Sequence, residues 1–246
     1  MNRRIALLAV AFAATLAMPV QAQKIADQQS RREALALYRT GQELMSAERF
    51  DKAVEAFSAA VAKDSLLTVA YYGLGQAYMS LQRFPSAIKA YKDCIEAMRS
   101  LHDLQQTNQF DVDKQRDDQI RELRGVLDRA RQGGRAPTIL ALEQQLRDLQ
   151  NLRTSIAGPF SAPAEVLLAL GSAHFRNGDR DEAEASWKGA IEANPKLGEA
   201  HNNLAVVYMQ TDRLDAADEE LKQAEKAGFR VNPQFKADLK QKRSAR

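Results

Sequence analysis

An all-α solenoid of helix pairs, interrupted by a long helical hairpin, is the fold that this 246-residue sequence predicts. Three observations carry the prediction. Residues recur at an interval of 34: Gly41 with Gly75, Ala53 with Ala87, Phe57 with Tyr91, then Leu170 with Leu204 and Ala183 with Ala217. Within each interval the apolar residues follow helical spacing. Residues 102–163 break the interval yet keep an apolar stripe. A period of this length built from helical segments is the signature of stacked helix pairs. Such a stack works by presenting a groove.

The first residues stand outside the repeats. Asn2-Arg3-Arg4 gives a positive start, Ile5 to Ala17 is apolar and uncharged, and Val20-Gln21-Ala22 reads as a small-x-small cleavage site. The apolar run spans 13 residues, short of the ~20 that cross a bilayer. The expectation is a signal peptide over 1–22 and a mature chain beginning at Gln23. Periplasmic location follows, with secretion as the alternative and no stable membrane insertion after cleavage. No cysteine stands directly after the run, so no lipid anchor is expected. Residues 23–33 are read as a lead-in.

Repeats 1 and 2 occupy 34–101. Unit one carries Leu37, Gly41, Leu44, Phe50, Ala53, Phe57 and Ala60. In unit two, Tyr71, Leu74, Gly75 and Tyr78 form one helix face, and Arg83-Phe84-Pro85 starts a second helix bearing Ala87, Ile88, Tyr91, Cys94 and Ile95. The small Gly75 and Ala87 allow close helix approach, with Tyr78 and Tyr91 filling the space around them. Repeats 3 and 4 occupy 164–231, with Leu170-Gly171, His174, Ala183, Trp187 and Pro195, then His201, Leu204-Ala205, Tyr208, Ala217 and Leu221. At these positions the chain resembles the tetratricopeptide repeat family, in its exported bacterial form. The resemblance implies a non-catalytic protein-binding scaffold whose first helices line a concave surface. His201 departs from the pattern, standing where a large aromatic is common.

The insert over 102–163 reads as a coiled-coil-like hairpin. Ile120, Leu123 and Leu127 precede Gly133-Gly134 and Pro137, and Ile139, Leu142, Leu146 and Leu149 follow. An unbroken helix from Pro85 to Arg131 would be ~70 Å long, and would strand the third repeat far from the second. A break near Gln106–Asp111, at Thr107-Asn108-Gln109, is therefore expected, with legs over 112–132 and 137–157. The hairpin is a spacer or an arm for docking or self-association, so a homo-oligomer through it stays open. Asn232-Pro233 opens a C-terminal capping helix and basic tail over 232–246, closing the end of the stack.

By the resemblance, the groove is lined by Tyr38, Gln42 and Met45, then Tyr72, Gln76 and Met79, then Ser172 and Phe175 beside Leu168, and last Asn202, Asn203, Val206 and Met209. Met45, Met79, Phe175 and Met209 share one repeat position; such side chains adapt to apolar ligands or simply pack. Asn203 matches the family's ligand-backbone contact. The basic residues that clamp a carboxylate terminus in some members are absent from this face. The expected partner is a protein or peptide.

Other classes find no support. Without Arg3 and Arg4 the chain has 33 Lys+Arg (35 − 2) against 32 Asp+Glu, so nothing calls for nucleic acid. Cys94 is the single cysteine and reads as a small core residue. His174 and His201 read as packed, and His102 lies at the edge of the insert. No catalytic motif, metal-ligand spacing or cofactor signature is present, so no catalytic residue, metal or cofactor is expected. The functional expectation is a periplasmic scaffold or adaptor that holds a partner segment in its groove. The alternatives are a self-associating envelope component using the hairpin, and an accessory subunit of an envelope enzyme complex.

Overall fold

The computed structural model describes residues 26–132 and 158–244, together with 139, 142–144, 146, 147 and 150. The described elements run α1 (Gln28–Ser46), α2 (Phe50–Lys63), α3 (Thr68–Ser80), α4 (Phe84–Gln132), α5 (Ala164–Asn177), α6 (Arg180–Ala193), α7 (Gly198–Gln210), α8 (Leu214–Lys226) and α9 (Pro233–Ser244). The expected signal peptide lies outside the described residues, as does most of the hairpin's return leg. No described helix is long and apolar enough to cross a membrane.

Each repeat is a pair of antiparallel helices joined by a tight turn. Glu48, Gln82, Gly178 and Asp212 occupy one repeat position, and all four have positive φ, at 55°, 55°, 96° and 61°. The next residue's N–H reaches back to the preceding helix in every case, from Arg49 to the Leu44 carbonyl at 2.9 Å and from Arg83 to that of Tyr78 at 2.9 Å. These are left-handed helix caps, and only one of the four uses glycine. Asp64 and Asn194, also equivalent, end the second helices; their side chains accept from the N–H of Leu66 at 3.0 Å and Lys196 at 3.1 Å.

The helices of a pair approach through a glycine. A Cβ added to Gly41 would come within 2.5 Å of the Phe57 ring, and one on Gly171 within 2.6 Å of Trp187. Gly75 meets Tyr91 in the same way. In the fourth repeat Ala205 holds the glycine's position, and the residue opposite is the smaller Leu221, both buried. A large ring pairs with glycine and a smaller chain with alanine, so the space between the helices stays filled.

The repeats form one array. Ile88 and Tyr91 of α4 share a core cluster with Leu170 and Ala173 of α5, so the third repeat stacks directly on the second despite the insert. Val207 joins Ala183 and Trp187 across the next boundary. The side chain of Arg213 bridges the same boundary, donating from Nη1 to Glu184 at 3.0 Å and from Nη2 at 2.5 Å, while its guanidinium lies 4.3 Å over Tyr208. At the end, Leu239 of α9 is 2% exposed among Leu214 and Leu221, as expected of a cap. Asn232 accepts from the Gln234 N–H at 2.9 Å at its start.

Two expectations are corrected. The lead-in is largely part of the first helix: α1 begins at Gln28, capped by Asp27, which accepts from the Ser30 N–H at 2.8 Å. The break near Gln106–Asp111 does not exist. Helix α4 runs unbroken for 49 residues, ~74 Å, straight through the expected boundary at 101/102. Thr107 is accommodated by bonding its hydroxyl to the Asp103 carbonyl at 2.9 Å, one turn back. The chain nevertheless recovers the length of this arm. Arg131 pairs with Glu143 at 2.8 Å near the tip. At the base, Gln106 donates to the Gly158 carbonyl at 3.4 Å, and the Phe160 ring lies 5.1 Å from Arg99 and 5.8 Å from His102.

Candidate functional site

The first helices of the pairs place a short polar-apolar series along one face. In repeats 1 and 2 the series converges. Tyr38, Gln42 and Met45 of α1 and Tyr72 and Gln76 of α3 line a recess of about 230 Å³, together with Ser46, Phe57, Val69 and Gly73. Gly73 opens its floor, since a Cβ there would come within 2.7 Å of the Phe57 ring. The Gln42 amide donates to the Tyr38 hydroxyl at 2.7 Å, which fixes both side chains on the rim. Gln42 and Gln76 are exposed, whereas Tyr38 and Tyr72 are half-buried. The recess therefore sets apolar surface from Met45, Phe57 and Val69 among the hydroxyl and amide groups of Tyr38, Gln42, Ser46 and Gln76, a mixed lining suited to a side chain together with its neighbouring peptide bond.

A second recess of about 250 Å³ lies at the other end. It is lined by Val206 and Met209 of α7, Gln210, and Phe235 and Lys242 of the cap. The remaining predicted positions do not enter either recess. Met79 packs on the Ile88–Tyr91 cluster, and Phe175 lies against Trp187 with centroids 5.7 Å apart. Ser172 uses its hydroxyl on the Leu168 carbonyl at 2.9 Å, and the same carbonyl accepts from the Trp187 indole at 3.2 Å. Asn202 and Asn203 are half-buried on α7. The position shared by Met45, Met79, Phe175 and Met209 is half-buried throughout. Each of the four packs against a core cluster, so packing is part of its role.

Sequence reasoning missed Leu35 and Val69, which stand 34 residues apart and are 42% and 43% exposed. That interval is the signal that could find them: two large, exposed apolar residues repeat at one position. Phe235 and Lys242 line the second recess but carry no repeat signal, since the cap lies outside the 34-residue interval.

The other polar groups are accounted for by the fold. His174 Nδ1 contacts Asp179 at 3.1 Å, and His201 contacts Glu220 at 2.6 Å and the Pro195 carbonyl at 3.1 Å. Both rings are buried. Burial pushes the Cys94 thiol up to about 11, and its sulfur donates to the Thr68 carbonyl at 3.3 Å. Among the described residues no group of three or more His, Cys, Asp or Glu could hold a metal. A larger cleft of about 860 Å³ separates α8 from α9, away from these faces. Lys236–Glu225 and Arg243–Asp218 ion pairs, each 2.7 Å long, cross it. It is the seam along which the cap docks.

A family profile agrees with the repeat assignment. The tetratricopeptide repeat profile matches residues 38–97 and 168–228, the two blocks on either side of the insert. No curated protein sequence matches the chain. Among solved structures it is similar to YrrB, described as a TPR protein with an unusual peptide-binding site, at 18% identity and a TM-score of 0.31 over 87% of this chain and 95% of that one. It is similar to TTC0263, a thermophilic TPR protein of Thermus thermophilus, at 22% identity and a TM-score of 0.32, over 85% and 98% of the two chains. The type IV pilus biogenesis factor PilW gives 16% and 0.38, over 85% and 82%. At these values the likenesses say nothing of partner or site.

Proposed function

Residues 38–97 and 168–228 are tetratricopeptide repeats, and from that premise we propose that this protein is a periplasmic scaffold that holds an extended segment of a partner protein along its concave face. The interaction role itself is general to such arrays. The observation that carries the groove reading is the recess between α1 and α3, where five of the predicted residues converge on one space that joins amide and hydroxyl groups to Met45, Phe57 and Val69. The stacking of α5 on α4 supports one continuous face rather than two short ones. The location rests on the Arg3-Arg4, Ile5–Ala17 and Val20-Gln21-Ala22 pattern alone. Intact mass of the exported chain tests it: a start at Gln23 agrees, and a membrane-held chain starting at Met1 refutes it.

The groove is tested by affinity capture from periplasmic extract with the wild-type chain and a Val69→Asp variant. Val69 is exposed, so the change should leave melting within ~0.5 kcal/mol of wild type. Loss of specific captured partners is the expected result, and unchanged capture refutes groove binding. A second reading, self-association through the arm, is favoured by Phe110 and Val112 on α4, which are 69% and 55% exposed. Sedimentation of the wild type and Phe110→Ser across concentrations separates the two.

A further inference from the structure

The groove changes chemistry along its length at one repeat position. Leu35 and Val69 hold it in the first two repeats, and Glu165 and Glu199 hold it in the last two. All four side chains are exposed. Glu165 and Glu199 sit in the first turns of α5 and α7, where an acid suits the helix N-terminus. Val69 occupies the first turn of α3, so the position itself does not require one. Neither carboxylate has an ion-pair partner among the described residues. The Tyr72 phenol is raised above its usual range by burial, then by Cys94, and then by the charges of Glu165 and Glu199. The recess itself, from Tyr38 to Gln76, is lined by no charged residue.

We infer that the groove selects an extended segment with an apolar or aromatic residue followed, several positions along, by lysine or arginine. The apolar residue enters the recess between α1 and α3, and the basic residue meets Glu165 and Glu199. Packed helices lie ~8–10 Å apart, so α5 is ~12–15 Å and α7 ~20–25 Å from the middle of the recess. An extended chain advances ~3.3 Å per residue, which places the basic groups roughly four and seven positions from the apolar anchor. The apolar contact supplies affinity and the carboxylates supply direction and discrimination. This assignment rests on the groove reading above and deepens it.

The test is selection of random 12-residue peptides displayed on phage against the mature chain and against a Glu165→Lys/Glu199→Lys variant. Enriched peptides are then measured by fluorescence anisotropy. Wild type should enrich an apolar residue followed by Lys or Arg. The reversal variant should select acids at those positions and bind the wild-type peptides about tenfold more weakly, the order expected for two exposed ion pairs. Raising the salt should shrink that difference. Enrichment of acidic or uncharged peptides by wild type, or no enrichment, overturns the charge assignment. Binders that a Val69→Asp variant retains at full affinity would instead place binding outside the groove and overturn the groove reading itself.

Discussion

The backbone at Gly75 lies against the ring of Tyr91, sixteen positions on, and the same pairing recurs as Gly41 with Phe57 and Gly171 with Trp187. In the fourth repeat the pair becomes Ala205 and Leu221. The chain thus contains its own compensated variant of the contact that sets helix separation.

Gly75→Ala should therefore destabilise by about 1–3 kcal/mol through overpacking, although alanine is the better helix former. Tyr91→Leu alone should also destabilise, by leaving a void beside Gly75. The double variant should cost less than the sum of the singles by about 0.5–3 kcal/mol, because it recreates the Ala205–Leu221 pair. Urea melts of the four proteins give the coupling. Strict additivity would mean that the two residues do not share the contact.

The Glu184–Arg213 bridge predicts an acid-sensitive repeat boundary. The Arg213 guanidinium, and after it Lys188, holds the Glu184 carboxyl down at about 2 against an ordinary 4.5. A depressed carboxylate contributes stability above its unfolded value and loses it as pH falls through the folded one. Wild type should be more stable than Glu184→Gln at pH 7, with the difference shrinking between pH 4.5 and 2. Denaturant melts along that range check it. A constant difference would assign the effect to packing of the side chain.

Among the described residues, three of the four turns within the repeats hold a non-glycine residue in the left-handed region. The left-handed conformation costs such a residue roughly 1–2 kcal/mol. Gln82→Gly should then raise stability by about 0.5–1 kcal/mol, after the entropy that glycine adds to the unfolded chain. A lower melting temperature would show that the Gln82 side chain contributes contacts that outweigh the strain.

The arm should be removable. Ile88, Tyr91, Leu170 and Ala173 join repeats 2 and 3 without it, and Phe160 meets Arg99 and His102 at its base. Replacing 108–157 by a short Gly/Ser linker should leave a cooperative helical unit, since closure entropy varies slowly with loop length. A molten product by near-ultraviolet circular dichroism would make the arm part of the folding core.

What the sequence revealed depended on repetition. The 34-residue interval identified the helix pairs, the small residues at Gly41, Gly75 and Gly171, and the packed roles of His174 and His201, because four copies share one environment. The arm occurs once, and there the reading failed. Thr107, Asn108 and Gln109 lower helix propensity by only ~0.7 kcal/mol or less each. The cost is small enough for a continuous helix to absorb, with Ile88 and Tyr91 anchoring its first turns in the core. Nor does the length of α4 separate the repeats, because the third repeat docks on the first turns of α4. In the groove, the recess residues on α1 and α3 were legible from the repeat. Phe175 and Ser172 were not, because their engagement with Trp187 and the Leu168 carbonyl depends on neighbours that no spacing shows.

The most direct test is site-specific photocrosslinking in living cells, with a benzoylphenylalanine at Val69 on the recess, at Glu55 on exposed α2, or at Phe110 on the arm. The account predicts a discrete adduct with another protein from Val69 that is lost when Gln42 and Gln76 are both changed to alanine, and none from Glu55. Adducts from Glu55 or Phe110 alone, with Val69 silent, would contradict it.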